Sequence, residues 1–284
     1  MDRKLTGYAI MLTASILWGI GYTFGKICLQ VIDPVTLSIT RFVFAQIFFI
    51  PLLIKFWEKP TKKDVIIIIL TGLTGMSIYQ VVFLFGLAGL PAGLASILVS
   101  TEPIFIYFLA MAFLSEKLNF IKIFGIIVSF IGIIFIYINN ISSKSATIAI
   151  LLVLFASFMW SVYMILSKPM LKKHNPVYVT SFSSLFGTLF LLPLFSSSVL
   201  ELTKMNSLEI VSFIFLVVFA TFLAFYLNLK GLQMLPTSNA AVFYYISPIF
   251  TVVSAYFLIN EAITANMIIG GILVIGGVAI TSKT

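Results

Sequence analysis

SILWGIGYTFGK, residues 15–26, returns 142 positions later as SFMWSVYMILSK, residues 157–168, with its serine, tryptophan and lysine in the same places. Pro34 and Pro51 recur at the same interval. A second group recurs 145 positions apart: Gly86, Pro91, Ala95, Pro103, Glu116, Gly125 and Gly132 return as Gly231, Pro236, Ala240, Pro248, Glu261, Gly270 and Gly277. This period is too long for a solenoid repeat. It predicts two related halves, residues 1–142 and residues 143–284.

Each half contains five apolar segments of the length that a helix needs to cross a bilayer, about 20 residues. The predicted spans are 7–29, 36–56, 65–86, 92–114, 120–138, 147–168, 177–196, 208–229, 237–259 and 264–282. Lipid offers no partner for an unpaired backbone group, so each span is predicted to be helical. Because five is odd, the second half crosses in the opposite sense. The predicted fold is all-α: a polytopic membrane protein with ten transmembrane helices in two inverted five-helix repeats.

The composition excludes a water-soluble monomer. Hydrophobic residues make up 61% of the chain and charged residues only 9%, whereas soluble domains carry about 25% charged residues. The single cysteine, Cys28, allows no disulfide within the chain and no cysteine metal site. No HExxH, P-loop or Ser/His/Asp set is present, so we expect no enzyme activity, no metal and no cofactor.

The net charge of +8 comes from an asymmetric distribution of basic residues. With the N-terminus inside, thirteen of the 17 basic residues fall on the cytoplasmic side of the predicted spans. This is the positive-inside pattern. It predicts a multi-pass protein of the cell (plasma) membrane with both termini in the cytoplasm, and it makes a nucleic-acid partner unnecessary. The first segment lacks a small-residue cleavage site and is predicted to be a retained helix.

Glu102 is the one acidic residue near the middle of a predicted span. A charge at that depth costs about 2.5–3.5 kcal/mol on insertion scales, so such a residue usually faces a cavity or a partner. Two interpretations stand: a structural glutamate bonded to a neighbouring helix, or a binding site for a substrate amine or a proton. Helical spacing places Ala95, Val99 and Ile106 on its face. The matched face of the ninth helix carries Ala240, Tyr244, Ser247 and Thr251.

Trp18 and Trp160 lie near the centres of the first and sixth predicted helices, although tryptophan prefers membrane interfaces. They either pack in the core or line a cavity, with Tyr22 and Tyr163 close by. The third and eighth helices carry polar groups at similar depth, Gln80 and Asn228. Each either forms a hydrogen bond between helices or contacts a bound substrate.

Pro103 and Pro248 sit in the middle of matched spans, where proline removes an internal hydrogen bond. We expect both helices to kink there, symmetrically, and the two prolines to act as hinges. Glu116 and Glu261 immediately precede the fifth and tenth predicted helices. The positive end of the helix dipole favours an acidic side chain at that place.

Three other basic or titratable residues can be explained without a role in function. Lys26 and Arg41 lie toward the outer ends of the first two helices. We expect them to snorkel to the interface, with a gate or an anionic-substrate contact as the alternative. His174, the only histidine, stands in a lysine-rich loop and is expected to be solvated.

Small residues follow one face of the fifth helix and of the tenth: Gly125, Ser129 and Gly132, and Gly270 and Gly277. Small residues let helix backbones approach closely. The stripe indicates tight packing against a neighbouring helix or, alternatively, the seam of a homodimer.

Four pieces together resemble the EamA-type members of the drug/metabolite transporter superfamily. They are WGIGYTFGK (18–26), TRF (40–42), STEPIFIYFLAMAFLSEKL (100–118) and FGIIVSFIGIIFI (124–136). The resemblance covers nearly the whole chain. It implies ten helices in two inverted halves around a central cavity, and the export or exchange of small metabolites, including amino acids. The chain departs from internal symmetry at Ser247, which stands where the first half has Glu102.

The expected function is a secondary transporter of small metabolites such as amino acids or amines, working by alternating access. Its partners would be a small-molecule substrate, the lipid bilayer and possible coupled protons. Predicted substrate-binding residues are Glu102, Trp18, Tyr22, Gln80, Trp160, Tyr163, Asn228, Tyr244 and Ser247. The alternatives are an uncoupled facilitator or channel, and transport of the multidrug or nucleotide-sugar type.

Overall fold

The computed structural model describes residues 3–114, 120–121, 123–125, 127–128, 131–132, 144–195 and 197–282. No strand occurs among them. The helices in the first half are α1 Arg3–Cys28, α2 Pro34–Lys55, α3 Lys62–Thr71, α4 Tyr79–Ala88, α5 Ala92–Val99 and α6 Glu102–Leu114. Those in the second half are α7 Lys144–Met170, α8 Pro176–Leu191, α9 Ser207–Phe215, α10 Ala224–Met234, α11 Thr237–Ala241, α12 Ser247–Ile259 and α13 Ala265–Ser282.

Eight stretches of the described chain are long and apolar enough to cross a membrane, and they match eight predicted spans. The tenth predicted span coincides with α13. The apolar part of α13, Ala265–Gly277, is shorter than the other eight stretches. Most of the fifth predicted span, including Ser129, lies outside the described residues, as does Glu116. The structure therefore confirms a polytopic all-α membrane protein.

Helix starts follow the local sequence. Asp33 Oδ1 accepts the backbone N–H groups of Val35 and Thr36, at 2.9 and 3.1 Å, and Pro34 occupies the first helical position of α2. Asn175 Oδ1 accepts the Val177 N–H at 2.9 Å in the same way at the start of α8. A capping oxygen satisfies an orphan N–H. A proline there gives up no hydrogen bond.

Two π-helical segments interrupt matched spans. Gly72–Ile78 separates α3 from α4, and Leu216–Leu223 separates α9 from α10. The π-helix is rare, and it appears frequently at functional sites. At Gly75, an added methyl group would overlap the ring of Tyr163, so glycine lets α7 approach this segment.

The spans with mid-helix prolines are interrupted rather than kinked. Helix α5 ends at Val99 and α6 begins at Glu102, while a 3₁₀ segment, Val242–Ile246, separates α11 from α12. Pro103 and Pro248 each fall in the first turn of the next helix, where the missing N–H costs nothing. Both helices are thus disrupted next to their prolines, as a break and not as a kink, and the expected symmetry is wrong because the two breaks differ in length.

Two matched lysines cap helix ends. Lys26 Nζ donates to the carbonyl oxygens of Leu87, Ala88 and Leu90, at 2.9, 2.9 and 2.7 Å, at the end of α4. Lys168 Nζ does the same to Leu232, at 2.6 Å, and to Leu235, at the end of α10. A cation suits the negative end of a helix dipole. Lys26 is half-buried, and its ammonium group lies at the end of the bundle where α4 stops.

Glu261 also caps a helix, but a different one from the helix expected. Its two carboxylate oxygens accept the backbone N–H groups of Ala92, at 2.7 Å, and Gly93, at 3.2 Å. These are the first residues of α5, whereas the prediction was α13. The dipole argument holds, and the partner helix comes from the other half of the chain.

Candidate functional site

Glu102 begins α6 directly after the helix break, and only 3% of the residue is exposed. Its Oε1 has no hydrogen-bond partner among the described residues. Its backbone carbonyl accepts the hydroxyl of Ser161 at 3.2 Å, which ties the break to α7. A helix N-terminus favours a carboxylate. The position therefore offers a buried acidic group with one oxygen uncommitted.

The predicted faces of the fourth and ninth spans are both buried. Exposure is 3% or less at Ala95, Val99, Glu102 and Ile106, and equally low at Ala240, Tyr244, Ser247 and Thr251. The two faces together bury one carboxyl, one phenol and two hydroxyl groups.

The two central tryptophans meet. Their rings are 5.2 Å apart at 87°, an edge-to-face pair. Trp18 donates its Nε1–H to the carbonyl of Ala220, at 2.9 Å, in the second π segment. Tyr163 and Tyr79 lie 4.8 and 5.0 Å from the Trp160 ring. Such pairs add about 0.5–1.5 kcal/mol each beyond their buried area, so the cluster fixes the junction of the halves.

The other predicted polar residues are divided between two roles. The Tyr244 hydroxyl donates to Asn228 Oδ1 at 2.6 Å. The Ser247 hydroxyl donates to the backbone carbonyl of Ser15, at 2.9 Å, and so joins α12 to α1. Asn228 and Tyr244 thus form a buried polar pair beside the tryptophans, whereas the Ser247 hydroxyl is engaged in helix packing.

A small cavity of about 20 Å³ lies beside this cluster, which is room for roughly one water molecule. Six of its lining residues are polar or aromatic: Trp18, Tyr22, Arg41, Tyr79, Gln80 and Phe83. Of the predicted site residues, Trp18, Tyr22 and Gln80 line the cavity. Trp160, Tyr163, Asn228 and Tyr244 belong to the neighbouring cluster of rings and polar groups, and neither Glu102 nor Ser247 is among the residues that line the cavity.

Arg41 was misplaced by sequence reasoning. It is 5% exposed and does not snorkel. Its Nη1 donates to Gln80 Oε1 at 3.0 Å, and its Nε donates to Thr221 Oγ1. Its position along the helix could have indicated this burial, because Arg41 lies seven residues after Pro34 and therefore about 10 Å along α2. Tyr79 and Phe225, which touch Trp160, were not predicted at all.

His174 is not solvated, contrary to expectation, since 9% of its side chain is exposed. Its Nδ1 lies 2.5 Å from Glu58 Oε2 and its Nε2 lies 3.5 Å from Asp64 Oδ2. Lys173 adds an ion pair to Asp64 Oδ1 at 3.0 Å. This cluster, Glu58, Asp64, Lys173 and His174, links the α2–α3 connection to the α7–α8 connection, and so links the two halves.

Within the described ranges, no group of three or more His, Cys, Asp or Glu side chains is arranged so that it could hold a metal ion. Cys28 is buried and free. The arrangement can do three things: accept a cation or proton at Glu102, hold an anionic group at Arg41, and enclose an apolar body between aromatic rings.

Long apolar helices around a buried carboxyl, a buried guanidinium and paired tryptophans define a multi-pass membrane protein with a polar centre. The chain belongs to the EamA-like transporter family, whose profile matches residues 5–138 and again residues 147–283. This confirms the resemblance drawn from the sequence.

Individual relatives are named transporters. An uncharacterized transporter of Archaeoglobus fulgidus is 28% identical, over 94% of this chain and 95% of its own. The uncharacterized transporter YetK of Bacillus subtilis is 26% identical over 99% and 88%. A probable terminal-alkyne amino-acid exporter of Streptantibioticus cattleyicolor is 29% identical over 80% and 76%. A crystal structure of a protein with 17% identity has the same fold, with a TM-score of 0.71 over 99% of this chain and 97% of its own.

Proposed function

We propose that the protein is a secondary transporter of small metabolites, amino acids or amines, that exports or exchanges them without altering them chemically. The observation that carries this is Glu102, a buried carboxyl with an uncommitted oxygen at a helix break. Transporters place substrate and ion sites at broken helices near the bilayer midplane. The amino-acid exporter among the relatives supports the same substrate class.

In this proposal Glu102 binds the substrate amine or a coupled proton. The rings of Trp18, Trp160 and Tyr244 offer their faces to a cation, and Tyr22, Tyr163, Gln80 and Asn228 complete the wall, whereas the Ser247 hydroxyl serves helix packing. Ser247 stands at the place of Glu102 in the second half, so one carboxyl serves the centre and coupling involves a single proton.

Access would alternate as the two inverted halves, residues 1–142 and 143–284, rock about the breaks at Pro103 and Pro248. Contacts between the halves exist at both ends of the bundle. The cluster of Glu58, Asp64, Lys173 and His174 closes one end, and Glu261 on the start of α5 closes the other. Opening one end at a time would expose the site to each side in turn. The asymmetry of the basic residues supports a protein of the cell membrane with both termini in the cytoplasm.

The test is uptake by the purified protein in liposomes, screened over labelled amino acids and amines at two external pH values. We expect saturable uptake of at least one of them. Uptake that rises linearly with concentration would point to a channel and contradict a carrier. Uptake of none of these compounds would remove the proposed substrate class.

A further inference from the structure

Arg41 carries a charge inside a predicted span with no carboxylate to neutralise it. Salt bridges among the described residues involve only Lys173 and His174 as cations. Arg41 instead bonds two neutral oxygens, of Gln80 and Thr221. An intramembrane charge of this kind is expensive to bury and usually marks a pathway or a binding site.

The two neutral partners orient the guanidinium. The Thr221 hydroxyl donates its hydrogen to the carbonyl of Leu216, at 2.7 Å, five residues earlier in the π segment. Its oxygen is therefore left to accept from Arg41 Nε. Gln80 Oε1 holds Nη1 from the first half of the chain. Arg41 is fixed from both halves at once.

One edge of the guanidinium is left for a ligand. Among the described residues Nη2 has no hydrogen-bond partner, and Arg41 lines the cavity with Trp18, Tyr22 and Tyr79. A guanidinium binds carboxylates through parallel N–H groups, with a geometry that an ammonium cannot reproduce. An oriented, uncompensated guanidinium at a cavity wall has the features of an anion subsite.

We propose that Arg41, held by Gln80 and Thr221, binds the carboxylate of the substrate. This inference rests on the proposed function and narrows it from amino acids or amines to amino acids. Arg41 lines the cavity together with Tyr22 and Tyr79, and the ion pairs of the described residues do not include one between Arg41 and Glu102. A zwitterion with its carboxylate at Arg41 would keep its amine free for the buried carboxyl of Glu102. Since the cavity holds roughly one water, the halves separate to admit it.

The test compares binding of two labelled amino acids, L-leucine and L-phenylalanine, with binding of their amides, L-leucinamide and L-phenylalaninamide. The amides keep the amine and the side chain and lose only the anionic group. Binding is measured on the full-length purified protein in lipid nanodiscs. We expect the wild-type protein to bind at least one amino acid about tenfold or more tightly than its amide, because a charge-assisted hydrogen bond is lost.

In Arg41→Gln the affinity for the amino acid should fall about tenfold or more, while the affinity for the amide stays within about threefold. The matched residue in the second half, Ser183, bonds Thr71 at 2.6 Å away from the cavity, and Ser183→Ala should keep the wild-type ratio. Thr221→Val keeps the charge, loses its orientation, and should lower the ratio by a smaller factor.

Three results would overturn the subsite: equal binding of amino acid and amide by the wild-type protein, an unchanged ratio in Arg41→Gln, or an equal loss for both ligands, which a structural role would produce. The wild-type comparison holds even if Arg41→Gln fails to fold. Transport of amines and amides as good as that of amino acids would sink the subsite and leave the proposed function standing. Binding and uptake of none of the compounds would sink both.

Discussion

The two halves of the chain match in scaffold and differ in charge. Lys26 and Lys168 cap equivalent helix ends, 142 positions apart. Both halves also contain a π segment and a broken span with proline in the following turn. The charged central residues of the first half, Glu102 and Arg41, correspond to Ser247 and Ser183 in the second. The helix caps, π segments and helix breaks thus occur in both halves, whereas the central carboxyl and guanidinium groups occur in the first half alone.

This difference teaches how one site can be reached from two sides. Matched breaks and caps give the two halves similar ways of moving. In the proposed function, a single carboxyl and a single guanidinium would give the substrate one orientation. Substitutions at matched positions can therefore separate the scaffold from the site: scaffold pairs should respond alike, and site pairs should not.

The largest effect is expected at Glu102. Glu102→Gln keeps the shape and removes the acid, so uptake should fall about 100-fold or more, the loss typical of a missing charged contact. The residual uptake should lose its dependence on the pH gradient. The measurement is initial uptake in liposomes with and without an inward pH gradient.

Ser96→Ala is the matched control for that variant. Ser96 lies in the same span, and its hydroxyl bonds only the Gly93 carbonyl, at 2.7 Å. It should retain most of the wild-type uptake. Wild-type uptake with unchanged pH dependence in Glu102→Gln would remove the carboxyl from the mechanism.

Removing either lysine cap should destabilise the protein by a similar amount. Lys26→Met and Lys168→Met each remove a charged donor from carbonyl groups at a helix end, and a hydrogen bond to a charged group contributes about 1.5–3 kcal/mol. We expect each variant to lose about 3 kcal/mol of unfolding free energy, measured by denaturant titration in detergent. A loss at one position only would show that the two helix ends are not equivalent.

A glycine pair should respond unequally although its members are matched. A methyl group on Gly86 would lie 2.5 Å from Val153 Cγ2 and 3.0 Å from the Ala149 carbonyl oxygen. On Gly231 it would meet Met11, whose flexible side chain can turn away. Gly86→Ala should cost about 2 kcal/mol and Gly231→Ala less than about 1 kcal/mol, in the same titration. The reverse order would contradict the packing described.

The smallest effect is expected in the cluster that links the halves. Lys173 is 57% exposed on its side chain, so solvent screens its ion pair with Asp64. Lys173→Ala should cost about 0.5 kcal/mol, whereas Lys172→Ala, at the exposed neighbouring position, should cost nothing measurable. Thermal unfolding of the two variants side by side checks this, and equal midpoints would mean that the ion pair contributes no stability.

Local patterns predicted the spans well, because apolar runs and markers such as Asp33-Pro34 depend on neighbouring residues alone. The burial of Glu102 followed from its depth. Long-range partners could not be predicted: Arg41 bonds residues 39 and 180 positions away, and Glu261 caps a helix 169 positions back. His174 appeared to belong to a solvated loop, because nothing in its own segment signals the two carboxylates that enclose it.

The central claim, that the halves alternate around one site, is tested most directly by counterflow. Liposomes containing the protein are loaded with an unlabelled amino acid that the uptake screen has identified, and they take up the same labelled compound without a pH gradient. If the carrier reorients faster with substrate bound than without it, the loaded liposomes should take up the labelled compound well above the level of empty liposomes. Equal initial uptake by loaded and empty liposomes would contradict the account.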